Sequence, residues 1–347
     1  MNDVYRNGSR HVRFRYDILR DGFKKGEAAV TYGKISYNSE ASVKRTAMFE
    51  MLPSDIDFIK DRIQVYMITD NDEKVLGTFL LASPKKYTSS ATERCKVEAY
   101  DTCLILKEDS FTERTFFASG TRYDAVISNI IESAGVQTFA IPQIPFYLPA
   151  DREFEIGTSK LEAINTLLDE VNYNPIAADE YGDFVITEYV EPSLRSVSIE
   201  YLDDECSVIA SDYESEADAF GVPNVFIARC DNPELDEEYY SVFVNDNPGS
   251  KLSTVYRGRR VVSDIYMPDY IDSQQALDKY IRRKAAEESM IFNKIKVRTA
   301  LSAAHGYKNT VYIRNGNIDG VYIEKSWEME LSPGALMIHN LVGVVEL

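Results

Sequence analysis

The chain has 347 residues, 44% hydrophobic and 27% charged, and its 38 Lys and Arg against 56 Asp and Glu give a formal charge of −18. That length exceeds what one hydrophobic core usually organises, so two or three domains are expected. No stretch nears the ~20 apolar residues of a membrane span, and so acidic a surface repels nucleic-acid backbone, disfavouring specific DNA or RNA binding.

The opening residues Met1 to Asp17 carry basic groups without an apolar run or a small-residue cleavage site, so cytosolic synthesis is expected. Val12, Phe14, Tyr16 and Ile18 alternate with polar neighbours, which predicts a strand with one buried face. The same period recurs in Ile63, Val65 and Met67, runs into Thr69 to Glu73 and resumes from Val75 to Phe79, which predicts a hairpin. Alternation from Cys95 to Cys103 extends the strand pattern, so the first part of the chain reads as an antiparallel barrel or sandwich.

Near residue 116 the pattern becomes a duplicated unit. Gly120-Thr121 leads into Ile127, Ile130, Ile131 and Ala134 and stops at Gly135, whereas Gly157-Thr158 leads into Leu161, Ile164, Leu167, Leu168 and Val171; both spacings predict one-sided helices. Thr121 with Asp124, and Ser159 with Glu162, have the spacing of capping boxes. A second hairpin is expected from Tyr173 to Val185 around Asp179 to Asp183. Pro142, Pro145, Pro149 and Pro192 mark extended connections, with a boundary near Pro192.

Strands return at Val222 to Ala228 and Tyr239 to Val244. From Ser273 to Ile291 the recurrence of Leu277, Ile281 and Ala285 predicts a long amphipathic helix with Arg282, Arg283, Glu287 and Glu288 on its wet side. Strands around a turn at Asn315-Gly316, and the segment Tyr322 to Leu331 with the only tryptophan, Trp327, close the pattern.

Motifs that carry chemistry are scarce. Cys95, Cys103, Cys206 and Cys230 are far apart and read as reduced thiols, and His11, His305 and His339 have no partner at helical ligand spacing, so no metal and no cofactor are expected. Ser119-Gly120-Thr121 reads as a helix start and not as a nucleophile elbow, and no phosphate-binding loop or dinucleotide fingerprint is present. Asp70-Asn71-Asp72 lacks the glycine and distal glutamate of a calcium loop, and Asp203 to Glu205 and Asp231 to Glu238 read as solvated acidic loops. No catalytic residue is assigned. Tyr256 to Arg260 is the one dense basic patch, and on an acidic protein it reads as an interface candidate. The 23 tyrosines fit half-buried strand positions.

The order of these features resembles the hub proteins of phage tail tips and baseplates over nearly the whole chain. The likeness is carried by Leu76-Gly77-Thr78-Phe79 with Ser83-Pro84, Ala99-Tyr100-Asp101 before the paired helical units, and the two Gly-Thr starts. Asn172-Tyr173 with Asp179 and Gly182, then Val222-Pro223-Asn224, Arg257-Gly258-Arg259 and the helix before the last strands complete it. The resemblance implies a mainly β, α+β chain in which two tube-like antiparallel β-barrel or sandwich domains, 1–115 and 193–347, flank a small α+β insert, 116–192, holding the duplicated helix unit. It further implies a structural, non-enzymatic homotrimer in the virion. Its partners would be tail tube or distal tail proteins, the tape measure protein and tip or spike proteins, with DNA passing through unbound and no stable membrane association. Some relatives carry a C-terminal peptidase, lysozyme-like or receptor-binding extension; here cell-wall cleavage is expected to belong to a partner. Two other readings stay open: a cell-wall hydrolase using paired carboxylates, marked by a cleft with a carboxyl group of raised pKa, and a carbohydrate-binding adhesin.

Overall fold

A computed structural model describes residues 11–347 apart from 71, 90, 91, 206, 234 and 236. The first ten residues, Asn71 of the acidic turn, Cys206 and parts of the Asp231 to Glu238 run therefore lie outside the described residues.

Seven antiparallel strands come first: β1 (Arg13–Arg20), β2 (Phe23–Glu27), β3 (Val30–Asn38), β4 (Arg45–Met51), β5 (Arg62–Ile68), β6 (Glu73–Ser89) and β7 (Thr92–Tyr100). Their two-residue period sends Tyr16, Ile18, Ile63, Val65 and Met67 into one core, where Phe49 meets Tyr16 and Phe79 edge-on with ring centres 5.9 Å apart. The expected hairpin is β5–β6, closed by Thr69 N donating to Asp72 O at 2.8 Å. The alternation read through to Cys103 ends sooner, at Tyr100. Asp101 is buried and accepts the amides of Arg45 (2.7 Å) and Cys103 (2.9 Å), and this turns the chain into a short helix, α1 (Cys103–Glu108).

The duplicated unit is a structural repeat. β8 (Thr115–Phe117) passes through Gly120 into α2 (Tyr123–Ser133), and β9 (Arg152–Phe154) passes through Gly157 into α3 (Lys160–Glu170). Both glycines take positive φ, +79° and +87°, which side chains disfavour, and β8 pairs with β9. Val126, Ile127, Ile130 and Ile131 of α2 and Leu161, Ile164, Leu167 and Leu168 of α3 share a second core with Leu106. The capping boxes do not form. Thr121 donates to the Ala118 carbonyl (2.7 Å) while Arg122 occupies the Asp124 carboxylate, and the Ser159 hydroxyl donates to Leu106 O and Lys107 O (3.3 Å each). Each hydroxyl thus serves the preceding segment instead of its own helix. The second hairpin is present as β10 (Ala177–Ala178) and β11 (Phe184–Val185), turning at Gly182 with φ +91°.

The rest of the chain comprises β12 (Ile199–Leu202), β13 (Ile209–Ala217), β14 (Val225–Cys230), β15 (Tyr239–Val244), α4 (Thr254–Arg257), β16 (Val262–Tyr266), α5 (Gln274–Ser289), β17 (Asn293–Ala300), β18 (Thr310–Asn315), β19 (Ile318–Glu330) and β20 (Leu336–Gly343). β15–β14–β16 form a small sheet, and Leu277, Ile281 and Ala285 of α5 pack against Phe226 and Ala228 of β14. Ser273 caps α5 by accepting from Ala276 N at 3.3 Å. Arg283, expected on the wet side, is 5% exposed. It turns inward because Asp169 at the end of α3 takes its guanidinium at 2.5 Å and the Tyr173 carbonyl accepts from it at 3.3 Å.

The remaining strands build a 13-stranded sheet in the order β13-β17-β20-β19-β3-β4-β7-β6-β5-β1-β2, with β18 also on β19 and β12 on β18. β19 is the joint. Its first half pairs with β18, its second half pairs with β3, and β20 runs along its other side. A bulge at Lys325 shifts its alternation, so that even positions Ile318, Tyr322 and Glu324 and odd positions Trp327 and Met329 face inward together. Ile318 and Tyr322 lie in a C-terminal core, whereas Trp327 and Met329 complete the N-terminal one.

Candidate functional site

At the joint, three side chains far apart in sequence converge. His305 lies on the loop between β17 and β18, Glu324 on β19 just before the bulge, and His339 on β20; the sequence analysis left the two histidines without partners. Glu324 Oε2 is 2.8 Å from His305 Nδ1, and Oε1 is 2.6 Å from His339 Nδ1. The far ring nitrogens are held as well, His305 Nε2 by Tyr201 Oη at 2.7 Å and His339 Nε2 by Thr299 Oγ1 at 2.8 Å. All three side chains are buried. Burial pushes the Glu324 carboxyl up, but the charge of His305 and hydrogen bonds from both rings outweigh it and hold the group at about 2. Burial lowers the His339 pKa, against the opposing bond to Glu324. His11 is elsewhere, exposed beside Asp70 at 3.4 Å.

A second feature is the cleft of about 760 Å³ between α3 and the segment leading into α5, lined in part by Asn165, Asp169, Glu170, Asp269 and Lys284. Glu170 pairs with Arg152 at 2.9 Å and accepts from Tyr123 Oη at 2.9 Å. Burial raises its pKa to about 7, and the neighbouring guanidinium offsets only part of that. Asp169 is occupied by Arg283 and Lys284 of α5, tying the insert to the last third of the chain. The cleft thus holds one carboxyl group suited to proton transfer near neutral pH; periodicity along α3 places Glu170 but says nothing of Arg152 closing over it.

The outer surface is uneven. β15 and β16 turn Phe243 and Tyr266 toward α5, leaving Tyr240, Val242, Val244, Val262 and Ile265 exposed on the opposite face. The basic patch divides. Arg257 donates to Val222 O (2.6 Å) and Ala219 O (3.0 Å), so it serves the fold, whereas Arg259 and Arg260 are exposed beside Val255 and Tyr256. Asp203, Asp204 and Glu205 are exposed, as expected of a solvated loop. Cys95, Cys103 and Cys230 are buried and unbridged. Among the described residues no helix is long and apolar enough to cross a membrane.

No family model matches the sequence, and no curated protein matches it. Solved structures do share the fold. The chain is similar to the tail protein from Neisseria meningitidis MC58, with TM-score 0.67 and 12% identity over 95% of this chain and 96% of that one. It is similar to the 43 kDa tail protein of prophage MuSo2 from Shewanella oneidensis, with TM-score 0.66 and 12% identity over 94% and 98%. It is also similar to an Escherichia coli type VI secretion component described as structurally similar to the T4 bacteriophage tail proteins gp27 and gp5, with TM-score 0.54 and 10% identity over 95% of this chain and 77% of that one. The mainly β, α+β architecture is therefore that of phage tail proteins across nearly the whole chain.

Proposed function

We propose that this chain is a structural hub of a phage tail tip or baseplate, three copies closing into a ring that joins a six-fold tail tube to a three-fold tip. The observation that carries the reading is the joint at β19. Strands β1–β7 and strands β12, β13 and β17–β20 run edge to edge in a single sheet; read as two β-halves, 1–115 and 193–347, flanking an insert, 116–192, three copies would present six halves. The two ends of the sheet are different strands, β2 and β13. An unpaired edge invites another strand, and contact between unlike ends is head-to-tail, the kind that can close a ring. A net charge of −18 suits a channel through which DNA and the tape measure protein pass without sticking. Tube or distal tail proteins and tip or spike proteins would contact the outer faces within the virion, after synthesis in the bacterial host.

Electron microscopy of the particle, or of the chain co-expressed with its neighbouring tail components, tests this. A three-fold ring continuous with the tube is expected. A peripheral position in the density would end the hub reading.

One observation favours a second reading, cell-wall hydrolysis: Glu170, with its raised pKa, lies in a cleft that Asp269 also lines. Soluble muropeptides released from peptidoglycan by the wild type and not by Glu170→Gln would establish it, and no release above blank would remove it.

A further inference from the structure

At the joint two imidazoles face one buried carboxylate. His339 Nδ1 lies 2.6 Å from Glu324 Oε1 and His305 Nδ1 lies 2.8 Å from Oε2. The rings are held from behind, His339 Nε2 by Thr299 Oγ1 at 2.8 Å and His305 Nε2 by Tyr201 Oη at 2.7 Å. A carboxylate buried this deeply is stabilised by a cation at its oxygens, and an ion set between it and the two Nδ1 atoms would take the place of the ring protons.

We propose that His305, Glu324 and His339 bind a divalent first-row transition ion of the zinc class through the two Nδ1 atoms and the carboxylate. The three ligand atoms lie within 4.8 Å of one another, and two imidazoles with one carboxylate form a donor set such ions favour. Bonds of about 2.1 Å would set tetrahedral ligand atoms about 3.4 Å apart, so the contacts of 2.6 and 2.8 Å to Glu324 open by about 0.6–0.8 Å on binding. Tyr201 and Thr299 orient the rings from behind, the role that outer hydrogen bonds play at metal-bound histidines. A cavity of about 130 Å³ lined in part by Ser302 to Gly306 borders His305. Bound there, the ion pins the loop between β17 and β18 to β19 and β20, beside the strand that joins the two halves.

The test uses the full chain without a polyhistidine tag, purified after zinc supplementation. Elemental analysis should find about one zinc per chain, and the cobalt-substituted protein should show visible ligand-field bands. Dipicolinate should lower Tm by several degrees. Thr299→Val, which keeps the volume and removes the hydroxyl behind His339, should weaken zinc binding about 10- to 100-fold, and Glu324→Gln should abolish it. If these variants fail to fold, the zinc content and cobalt spectrum of the wild type decide. A wild type that retains no zinc through gel filtration, with the same Tm in zinc and in dipicolinate, overturns the proposal and leaves a hydrogen-bonded network only.

Discussion

Burial of Glu170 makes the folded chain hold a proton that the unfolded chain releases, against the opposing pull of Arg152 and Tyr123. Its folded pKa of about 7 lies above the ordinary 4.5. Between those values the native state binds more protons than the unfolded state, so stability falls as pH rises from about 4.5 to 7 and levels off on either side. Glu170→Gln keeps an acceptor for Tyr123 and should flatten this part of the profile. Tm measured every half pH unit in both proteins checks it, and parallel slopes would refute the assignment. Arg283 shows what residue-scale reading misses. Helical periodicity places it beside Arg282 on the solvent face, and only the end of α3, brought up by the fold, supplies the Asp169 carboxylate that draws it in. The same holds for His305 and His339, whose common partner is 19 and 15 residues away on a neighbouring strand.

At the scale of elements, most of what depended on local spacing was legible, the capping boxes at Thr121 and Ser159 excepted. The β5–β6 hairpin, the two repeat helices with their preceding glycines, and α5 all follow from period and turn chemistry. Strand alternation reports which side chains share a face but not which strand lies alongside, so the partners of β19 stayed hidden. The Lys325 bulge is legible only in retrospect, as the change of parity between Glu324 and Trp327. Its carbonyl accepts from Ser39 N at 2.8 Å, and Trp327 stacks on Tyr37 of β3 with centres 5.8 Å apart. This stack spans the two halves. Trp327→Ala should therefore cost about 3–5 kcal/mol, whereas Trp327→Phe, which keeps a ring there, should cost markedly less. Urea unfolding measures both, and an alanine variant within about 1 kcal/mol of wild type would show that the stack does not hold the halves together.

For the whole molecule, composition and strand density point to a mainly β chain with a helical insert, and the structure has that form. What the sequence left unread is that the last strands complete the first core: Leu301, Trp327, Met329, Leu331 and Met337 pack with Tyr16, Phe49 and Phe79. Long-range pairing of this kind leaves no periodic trace, because each strand alternates in the same way whichever neighbour it meets.

The β3–β19 pairing also has a consequence during translation. Lys34 on β3 meets Glu328 on β19, 294 residues later, so at about 5–20 residues per second the ribosome takes on the order of 15–60 s to supply that partner. Throughout that interval the nascent N-terminal half exposes an unpaired strand edge and an unfilled core. Release of chains truncated before Ile318 should leave them bound to chaperones or aggregated, whereas the full-length chain should leave the ribosome soluble; pulse-labelled synthesis in a reconstituted translation system would time that transition directly.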